Sequence, residues 1–403
     1  MKKIFVSIIS VFLLASILLS CGKTPLQTDE KRENQNSGLY NIVGQFCETP
    51  TRVIFKGNSK LYYFNKLDGE SYVFCFDPLC KHGDDCISSK FMNVSFTQPI
   101  VYHSNDNRLY ALRGSKFLSM SFDGSDVKIL YSFSDVDTLE DETYDRAACA
   151  YLQVYQNYAF MTALNNETGN RDFYRYDIKN DEMLCLTGEE KTFQNVEYFF
   201  LDEDILYFCT IEEAQLNLYC ADLDFQEATL VQTQIEGDFT NAIFDGENFY
   251  MRVMKTKMKN GYERSYIDGI ATYNIITNQQ TVLCQLDHDN VGNLLAATDR
   301  YLYYHLLDEV FLGTKKRYSG LYEIENDHSK VYRYDMLTGE TKIVLDDLTI
   351  QTDKLFLMEN QVILYGKTFI ICEDGTADET LPHAMIADID ENGMFVNVQM
   401  LEE

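Results

Sequence analysis

The sequence predicts an all-β protein, a β-propeller of seven four-stranded blades, on three observations. A short aromatic strand recurs seven times along the chain. Residues that favour tight turns separate the strands at hairpin spacing. No run of ten or more residues carries helical periodicity. Six or eight blades also fit, because insertions at 255–266 and 307–326 blur the count.

The recurring strands are Leu61-Tyr62-Tyr63-Phe64, Leu109-Tyr110-Ala111-Leu112, Tyr158-Ala159-Phe160-Met161, Leu206-Tyr207-Phe208-Cys209, Phe249-Tyr250-Met251, Leu302-Tyr303-Tyr304 and Ile363-Leu364-Tyr365. They lie about 43 to 62 residues apart, within the period range of propeller blades. A second strand follows, ending in Asp or Asn: Phe173-Tyr174-Arg175-Tyr176-Asp177, Leu218-Tyr219-Cys220-Ala221-Asp222, Ala271-Thr272-Tyr273-Asn274 and Val331-Tyr332-Arg333-Tyr334-Asp335. Apolar third strands include Lys128-Ile129-Leu130-Tyr131, Met183-Leu184-Cys185-Leu186, Thr281-Val282-Leu283-Cys284 and Thr341-Lys342-Ile343-Val344-Leu345. Asp123-Gly124, Asp245-Gly246, Thr338-Gly339 and Asp374-Gly375 stand between runs, where hairpins need residues that tolerate positive φ. Four strands per repeat close naturally into a ring, which leaves only short, protected sheet edges. Residues 39–43, ahead of the first blade, are expected to add a strand that closes the ring on the last blade.

The repeats Leu-Tyr-Tyr-Phe, Tyr-Arg-Tyr-Asp and Leu-Thr-Gly-Glu resemble those of YWTD-like propellers of low-density-lipoprotein-receptor-related type. Such propellers occur in bacterial lipoproteins, many from Gram-positive gut anaerobes. The resemblance covers roughly residues 45 to 400, through degenerate motifs, and the Trp of YWTD is absent throughout. It implies a propeller and an exported lipoprotein, and it carries no assigned activity.

The N-terminus reads as an export signal. Lys2 and Lys3 precede an apolar run from Ile4 to Leu19, and Leu18-Leu19-Ser20-Cys21 follows. A secretory signal ends in small residues before its cleavage site. Here the cysteine stands where the new N-terminus would form, which resembles a lipobox. Residues 1–20 are then a lipoprotein signal peptide and Cys21 the lipidated residue. The competing reading is an uncleaved membrane anchor, since the run is almost long enough to span. Residues 21–38 are polar and read as a flexible tether, with the propeller at 39–403. These features predict a lipid-anchored protein on the cell membrane, facing away from the cytoplasm.

The formal charge is −29. Acidity on this scale disfavours nucleic acid and anionic headgroups, both polyanions. Of the 11 cysteines, Cys149, Cys185, Cys209, Cys220, Cys284 and Cys372 are scattered in strand-like runs and read as small buried hydrophobes. Cys209 and Cys220 lie near mirror positions about a turn at Glu213-Ala214, so a bridge across that hairpin is the lesser alternative to their burial as hydrophobes.

One stretch is chemically dense. Cys75, Cys80, His82 and Cys86 fall within twelve residues, with Pro78 and Gly83 supplying bends and Cys47 upstream. Cys₃His is a standard structural zinc set. Disulfides among Cys75, Cys80, Cys86 and Cys47 compete with that reading, and their connectivity cannot be deduced from sequence. A similar but differently spaced C-x-x-P-x-C-x-H-x-x-x-x-C pattern is associated with the lipoproteins named above. At Asp388-Ile389-Asp390-Glu391-Asn392-Gly393 the spacing matches the opening of a calcium loop, but Gln399 stands where a bidentate Glu is needed, so a tight hairpin turn is the expectation.

Nucleophile-elbow, H-E-x-x-H and phosphate-loop motifs are absent. The histidines, His82, His103, His288, His305, His328 and His383, stand singly. Two functions from different classes therefore remain. The first and preferred one is a binding module for an extracellular protein or glycan. The other is a cell-surface hydrolase or lyase acting on polysaccharide or peptide, with paired carboxylates hidden among 63 acids. Fold alone does not separate them.

Overall fold

Seven antiparallel sheets, each built around a four-stranded meander, form the blades of a β-propeller. The computed structural model describes residues 39–401 apart from 43–45, 57–59, 78, 84–85, 87–99, 114, 123–125, 134–150, 166–168, 188–192, 194, 203, 213–214, 234, 260–261, 287–290, 318–319, 347–349, 372–376 and 380–382. The leader, Cys21, the tether, Cys149 and Cys372 lie outside the described residues. Gly38–Glu403 form one compact unit.

Strand β1 (Leu39–Asn41) comes first. Blade 1 holds β2 (Cys47–Glu48), β3 (Arg52–Lys56), β4 (Leu61–Asn65) and β5 (Glu70–Val73). Blade 2 holds β6 (Ile100–His103), β7 (Arg108–Arg113), β8 (Lys116–Ser121) and β9 (Val127–Ser132). Blade 3 holds β10 (Tyr151–Tyr155), β11 (Tyr158–Leu164), β12 (Arg171–Asp177) and β13 (Glu182–Cys185). Blade 4 holds β14 (Val196–Asp202), β15 (Ile205–Glu212), β16 (Gln215–Asp222) and β17 (Ala228–Gln232). Blade 5 holds β18 (Asp238–Phe244), β19 (Asn248–Lys259), β20 (Tyr262–Asn274) and β21 (Gln279–Gln285). Blade 6 holds β22 (Val291–Thr298), β23 (Tyr301–Arg317), β24 (Gly320–Asp335) and β25 (Thr341–Asp346). Blade 7 holds β26 (Ile350–Leu357), β27 (Gln361–Ile371), β29 (His383–Ile389) and β30 (Phe395–Met400), with β28 (Ala377–Glu379) paired to β27. The two insertions are extensions of the β19–β20 and β23–β24 hairpins, so they lengthen blades and add none.

In blades 2, 3, 4, 5 and 7 the recurring aromatic strand is second from the centre, and in blade 6 it follows β22, inside which β1 is added. In blade 1 it is third, because β3 with its Arg52-Val53-Ile54-Phe55 takes the second place. A second expectation is corrected at β1. It does not close the ring on blade 7 but pairs with β22, adding an innermost strand to blade 6. Blade 7 already has its own fourth strand. The side chain of Asn41 explains the placement: its amide donates to Leu357 O at 3.1 Å and its oxygen accepts from Leu357 N at 2.7 Å. One residue thus ties blade 6 to the inner strand of blade 7.

The core is divided among seven apolar clusters, one at each interface between neighbouring blades. Alternation along strands two and three sends successive residues to opposite sheet faces, and both faces are covered by a neighbouring blade. The ring closes at the interface of blades 7 and 1. There Val53, Phe55, Tyr62 and Phe64 pack on Phe356, Ile363, Tyr365, Ala384 and Leu401. No strand crosses that seam.

Turn chemistry accounts for the Asp or Asn that ends these strands. Between the third and fourth strands of blades 1, 3, 5 and 6, the side-chain oxygen of Asn65, Asp177, Asn274 or Asp335 accepts the amide of the residue two positions on, at 2.9 to 3.1 Å. The fifth residue of each turn, Gly69, Asp181, Asn278 or Gly339, has positive φ, which Gly, Asn and Asp tolerate best. Tyrosine hydroxyls bind the same turns: Tyr273 donates to Asn278 at 3.0 Å, and Tyr176 donates to Asp181. Tyr110 and Tyr250 do likewise to Asp106 and Asp245 in turns between first and second strands. A tyrosine here fills the core with its ring and fixes a turn with its hydroxyl.

Two outcomes are expected. Asn41→Ala removes both bonds to Leu357 and leaves a backbone pair unmatched, lowering unfolding free energy by about 1–3 kcal/mol in urea denaturation. Asp335 accepts from Arg300 at 2.8 Å and from the amides of Leu337 and Thr338, and the arginine leads in pulling its carboxyl to about 2. An unfolded Asp titrates near 3.9, so this contribution is complete above about pH 4 and drains away as pH falls toward 2. Asp335→Asn should flatten that acid limb of the stability profile, as followed by circular dichroism.

Candidate functional site

Every inner strand except β1 runs in the same sense, so β10, β14, β18, β22 and β26 all begin on one face of the ring. The hairpins between second and third strands open on the same face, as do the connections between blades. The extended β19–β20 and β23–β24 hairpins rise from it on blades 5 and 6. This entrance face carries two constellations.

The first spans blades 3 to 6. Arg171, at the start of β12, pairs with Glu197 near the start of β14 at 3.1 Å. Asn195 supports both: it accepts from the Arg171 amide at 2.9 Å and donates to Glu197 at 3.0 Å. Arg252 of β19 donates to Asp238 at 2.5 Å, to Gly292 O at 2.9 Å and to Asn293. Between the two arginines lie Tyr151 and Tyr198, edge to face with ring centres 5.4 Å apart. Burial raises the Tyr151 hydroxyl, and the neighbouring Tyr198, Asp238 and Glu197 raise it further against the opposing effect of Arg171. Arg171 Nη1 and Arg252 Nε are buried N–H groups with no acceptor among the described residues. A buried donor left unmatched costs about 1–3 kcal/mol. Each acid is held by an arginine, an arrangement that orients groups rather than one that passes protons.

Sequence reasoning missed this network, because its members come from four blades and share no motif. The available signal was positional: Tyr151, Glu197, Asp238 and Asn293 all fall in the first three residues of an inner strand.

The second constellation is the one the sequence singled out. After β5, Phe74 is fully buried and Phe76 packs with it between blades 1 and 2. Alternation turns Cys75 the other way. An Asx turn follows, with Asp77 Oδ1 accepting Leu79 N at 2.9 Å and Asp77 O accepting Cys80 N at 3.1 Å. His82 has φ of 54°, and Cys86 N donates to Gly83 O at 2.9 Å. These bends bring one atom each of Cys75, Cys80, His82 and Cys86 within 4.8 Å of one another. His82 Nδ1 lies 3.7 Å from Cys86 Sγ, and His82 N donates to Cys80 Sγ at 3.4 Å. The three cysteines are thiols. Burial first, then Cys86 and Cys80, push the Cys75 thiol up to about 11 against a hydrogen bond from the Asp77 backbone. Beneath the connection, Arg52 sits 4.7 Å from the rings of Tyr63, Phe76 and Phe122, tying blade 1 to blade 2. Cys47 is not among the converging ligands. It is buried in β2 within the blade 1–2 cluster, and burial pushes its thiol up to about 12.

Other expected features resolve into structure. The β15–β16 register pairs Cys209 with Leu218 and Cys220 with Tyr207, two residues out of step with a bridge, and both cysteines are thiols. Asp390 accepts the amides of Asn392 at 2.9 Å and Met394 at 2.8 Å, and Gly393 has φ of 71°, so this segment is the tight turn joining β29 to β30. Asp388 is bonded by Asn397 at 3.0 Å. His103 is buried against Asp106 at 3.0 Å. His305 is buried too, and that burial, with Arg252 nearby, pulls it down to about 4. His328 and His383 fall in β24 and β29, and His288 lies outside the described residues.

No family model matches the chain, and no curated protein matches it. Solved structures do. Puromycin hydrolase aligns with a TM-score of 0.50 at 10% identity, over 92% of this chain and 56% of that one. A chain of the nidogen–laminin complex aligns with a TM-score of 0.39 at 9% identity, over 72% of this chain and 91% of that one. For the tricorn protease the values are 0.41 and 10%, over 87% of this chain and 38% of that one. The chain thus spans well under two thirds of either hydrolytic relative. At these identities the likeness is one of fold.

Arg252→Met should release Asp238 and Asn293 together and lower unfolding free energy by about 1–3 kcal/mol, whereas Arg252→Lys should recover part of that loss. Urea denaturation of the three proteins provides the comparison.

Proposed function

We propose that the protein is a membrane-tethered binding module whose entrance face engages a glycan or protein segment outside the cytoplasm. The observation that carries this reading is the convergence of Arg171, Tyr151, Tyr198 and Arg252, drawn from three blades, on one face of the ring. Guanidinium donors beside aromatic rings suit a ligand that offers hydroxyl or carbonyl oxygens along an apolar surface. Because Glu197 and Asp238 are each committed to an arginine, binding is favoured over acid–base hydrolysis or elimination.

In this reading Cys21 carries the lipid and residues 21–38 are the tether. A flexible tether of that length has a root-mean-square reach of about 23 Å, enough to hold a propeller close above a bilayer. Two acyl chains suffice for durable anchoring.

Two measurements test the halves separately. The full chain, expressed with its leader, should partition into detergent and carry diacylglycerol mass on Cys21; partition into water without acyl mass overturns the anchor. Glycan arrays and pull-downs of extracellular proteins should return a ligand whose affinity falls at least about tenfold, the equivalent of one lost hydrogen bond of about 1.4 kcal/mol, in Tyr198→Ala or Arg171→Met. Binding that is indifferent to both substitutions, in variants with unchanged circular dichroism, overturns the assignment of the face.

A further inference from the structure

We propose that Cys75, Cys80, His82 and Cys86 bind one zinc ion in a closed structural site that fastens the connection between blades 1 and 2. The inference does not rest on the ligand-binding reading, since it concerns other residues and a different role.

The geometry is the first argument. Tetrahedral zinc holds sulfur at about 2.3 Å and imidazole nitrogen at about 2.0 Å, so ligand atoms stand roughly 3.5–3.8 Å apart across the tetrahedron. His82 Nδ1 and Cys86 Sγ are 3.7 Å apart, and all four ligand atoms lie within 4.8 Å of one another. A small contraction onto a central ion completes the set. The backbone is also arranged for it. Two tight turns, at 77–80 and 83–86, present their cysteines to one point, and the His82 amide donates to Cys80 Sγ, a bond that favours a thiolate there.

Donor chemistry is the second argument. Three sulfurs and an imidazole are a soft to borderline set, which selects zinc over the oxygen-seeking calcium and magnesium. A disulfide would consume two of the three sulfurs at a bond length of about 2.05 Å, leaving the third thiol and the imidazole crowded against the bridge with no partner chemistry. Cys47, the one cysteine that would even the count in this blade, is not part of the group. Four protein ligands leave no open position, so the ion is a fastener rather than a Lewis acid for substrate.

The site's position supplies its role. Cys75 lies between Phe74 and Phe76, which pack in the blade 1–2 interface, and Phe76 is one of the three rings around Arg52. Fixing Cys75, Cys80 and Cys86 to one ion locks the connection over that interface. Binding releases the thiol protons of the three cysteines to solvent and leaves the imidazole neutral, so affinity should rise with pH.

The test uses the full chain, purified anaerobically with a reductant that does not chelate. Mass spectrometry of the metal content should give one zinc per chain. Cobalt exchanged into the site should show tetrahedral d–d bands with thiolate-to-cobalt charge transfer, a readout that needs no variant to fold. Chelation should lower the thermal midpoint, and His82→Cys should retain zinc as a four-thiolate site. Cys80→Ser and Cys86→Ser should lose stoichiometric metal while keeping a β-sheet circular-dichroism signature. A metal-free protein whose peptide map shows a disulfide among Cys75, Cys80 and Cys86 overturns the proposal. So does iron in place of zinc, or undiminished zinc in Cys80→Ser.

Discussion

Face-to-face packing between neighbouring blades is the constraint on which everything else in this molecule rests. A four-stranded twisted sheet has two apolar faces and cannot bury either alone. Each face here finds a neighbour, through seven clusters arranged around one axis. The large aromatic side chains fall on the second and third strands, where the blade is broad enough to cover them. Phe160, Phe173 and Phe208 are fully buried for that reason. Because the blades are wedged side by side, the starts of their inner strands are held in fixed relation. That is how Tyr151, Glu197, Asp238 and Asn293, from four separate sheets, come to share one surface.

Many polar groups in this packing are matched across neighbouring blades. Asn41 matches both backbone groups of Leu357, and Gln153 bonds Phe199 O at 3.1 Å and Leu201 N at 3.0 Å across blades 3 and 4. These side chains act as rivets between inner strands. Arg52 obeys the same rule with aromatic faces in place of oxygen atoms, and a cation so enclosed is worth more than one at the surface. Arg171 and Arg252 differ from these rivets in their place, with Glu197 and Asp238 at the starts of the inner strands.

The fold was legible because its tyrosines do two things at once. The rings of Tyr176 and Tyr273 fill the interblade core, and their hydroxyls hold turns closed by Asp177 and Asn274, so one phrase recurs wherever both needs coincide. Inner strands such as β22, with its Gly292-Asn293-Leu294-Leu295, obey no shared pattern and carry no recurring phrase. The partner of β1 was illegible for a different reason. Its register is set by contacts more than 250 residues away along the chain, at Ala296 and Leu357. The Cys75–Cys86 group could be read because four ligands within twelve residues need only local bends to meet. The arginine–tyrosine network could not, since nothing in local spacing announces a meeting of four blades.

Closure without strand exchange has a kinetic meaning. Six of the seven interfaces join segments adjacent in sequence, so each can form soon after its two hairpin meanders exist. The seam, with residues such as Phe64 and Phe356 nearly three hundred positions apart, and the docking of β1 on blades 6 and 7 are the long-range contacts. The chain entropy surrendered in making a ring is therefore concentrated in these two joins, and it grows only as the logarithm of the loop. Assembly along the arc is local and quick to reward, while the final joining of its two ends is the late, long-range event.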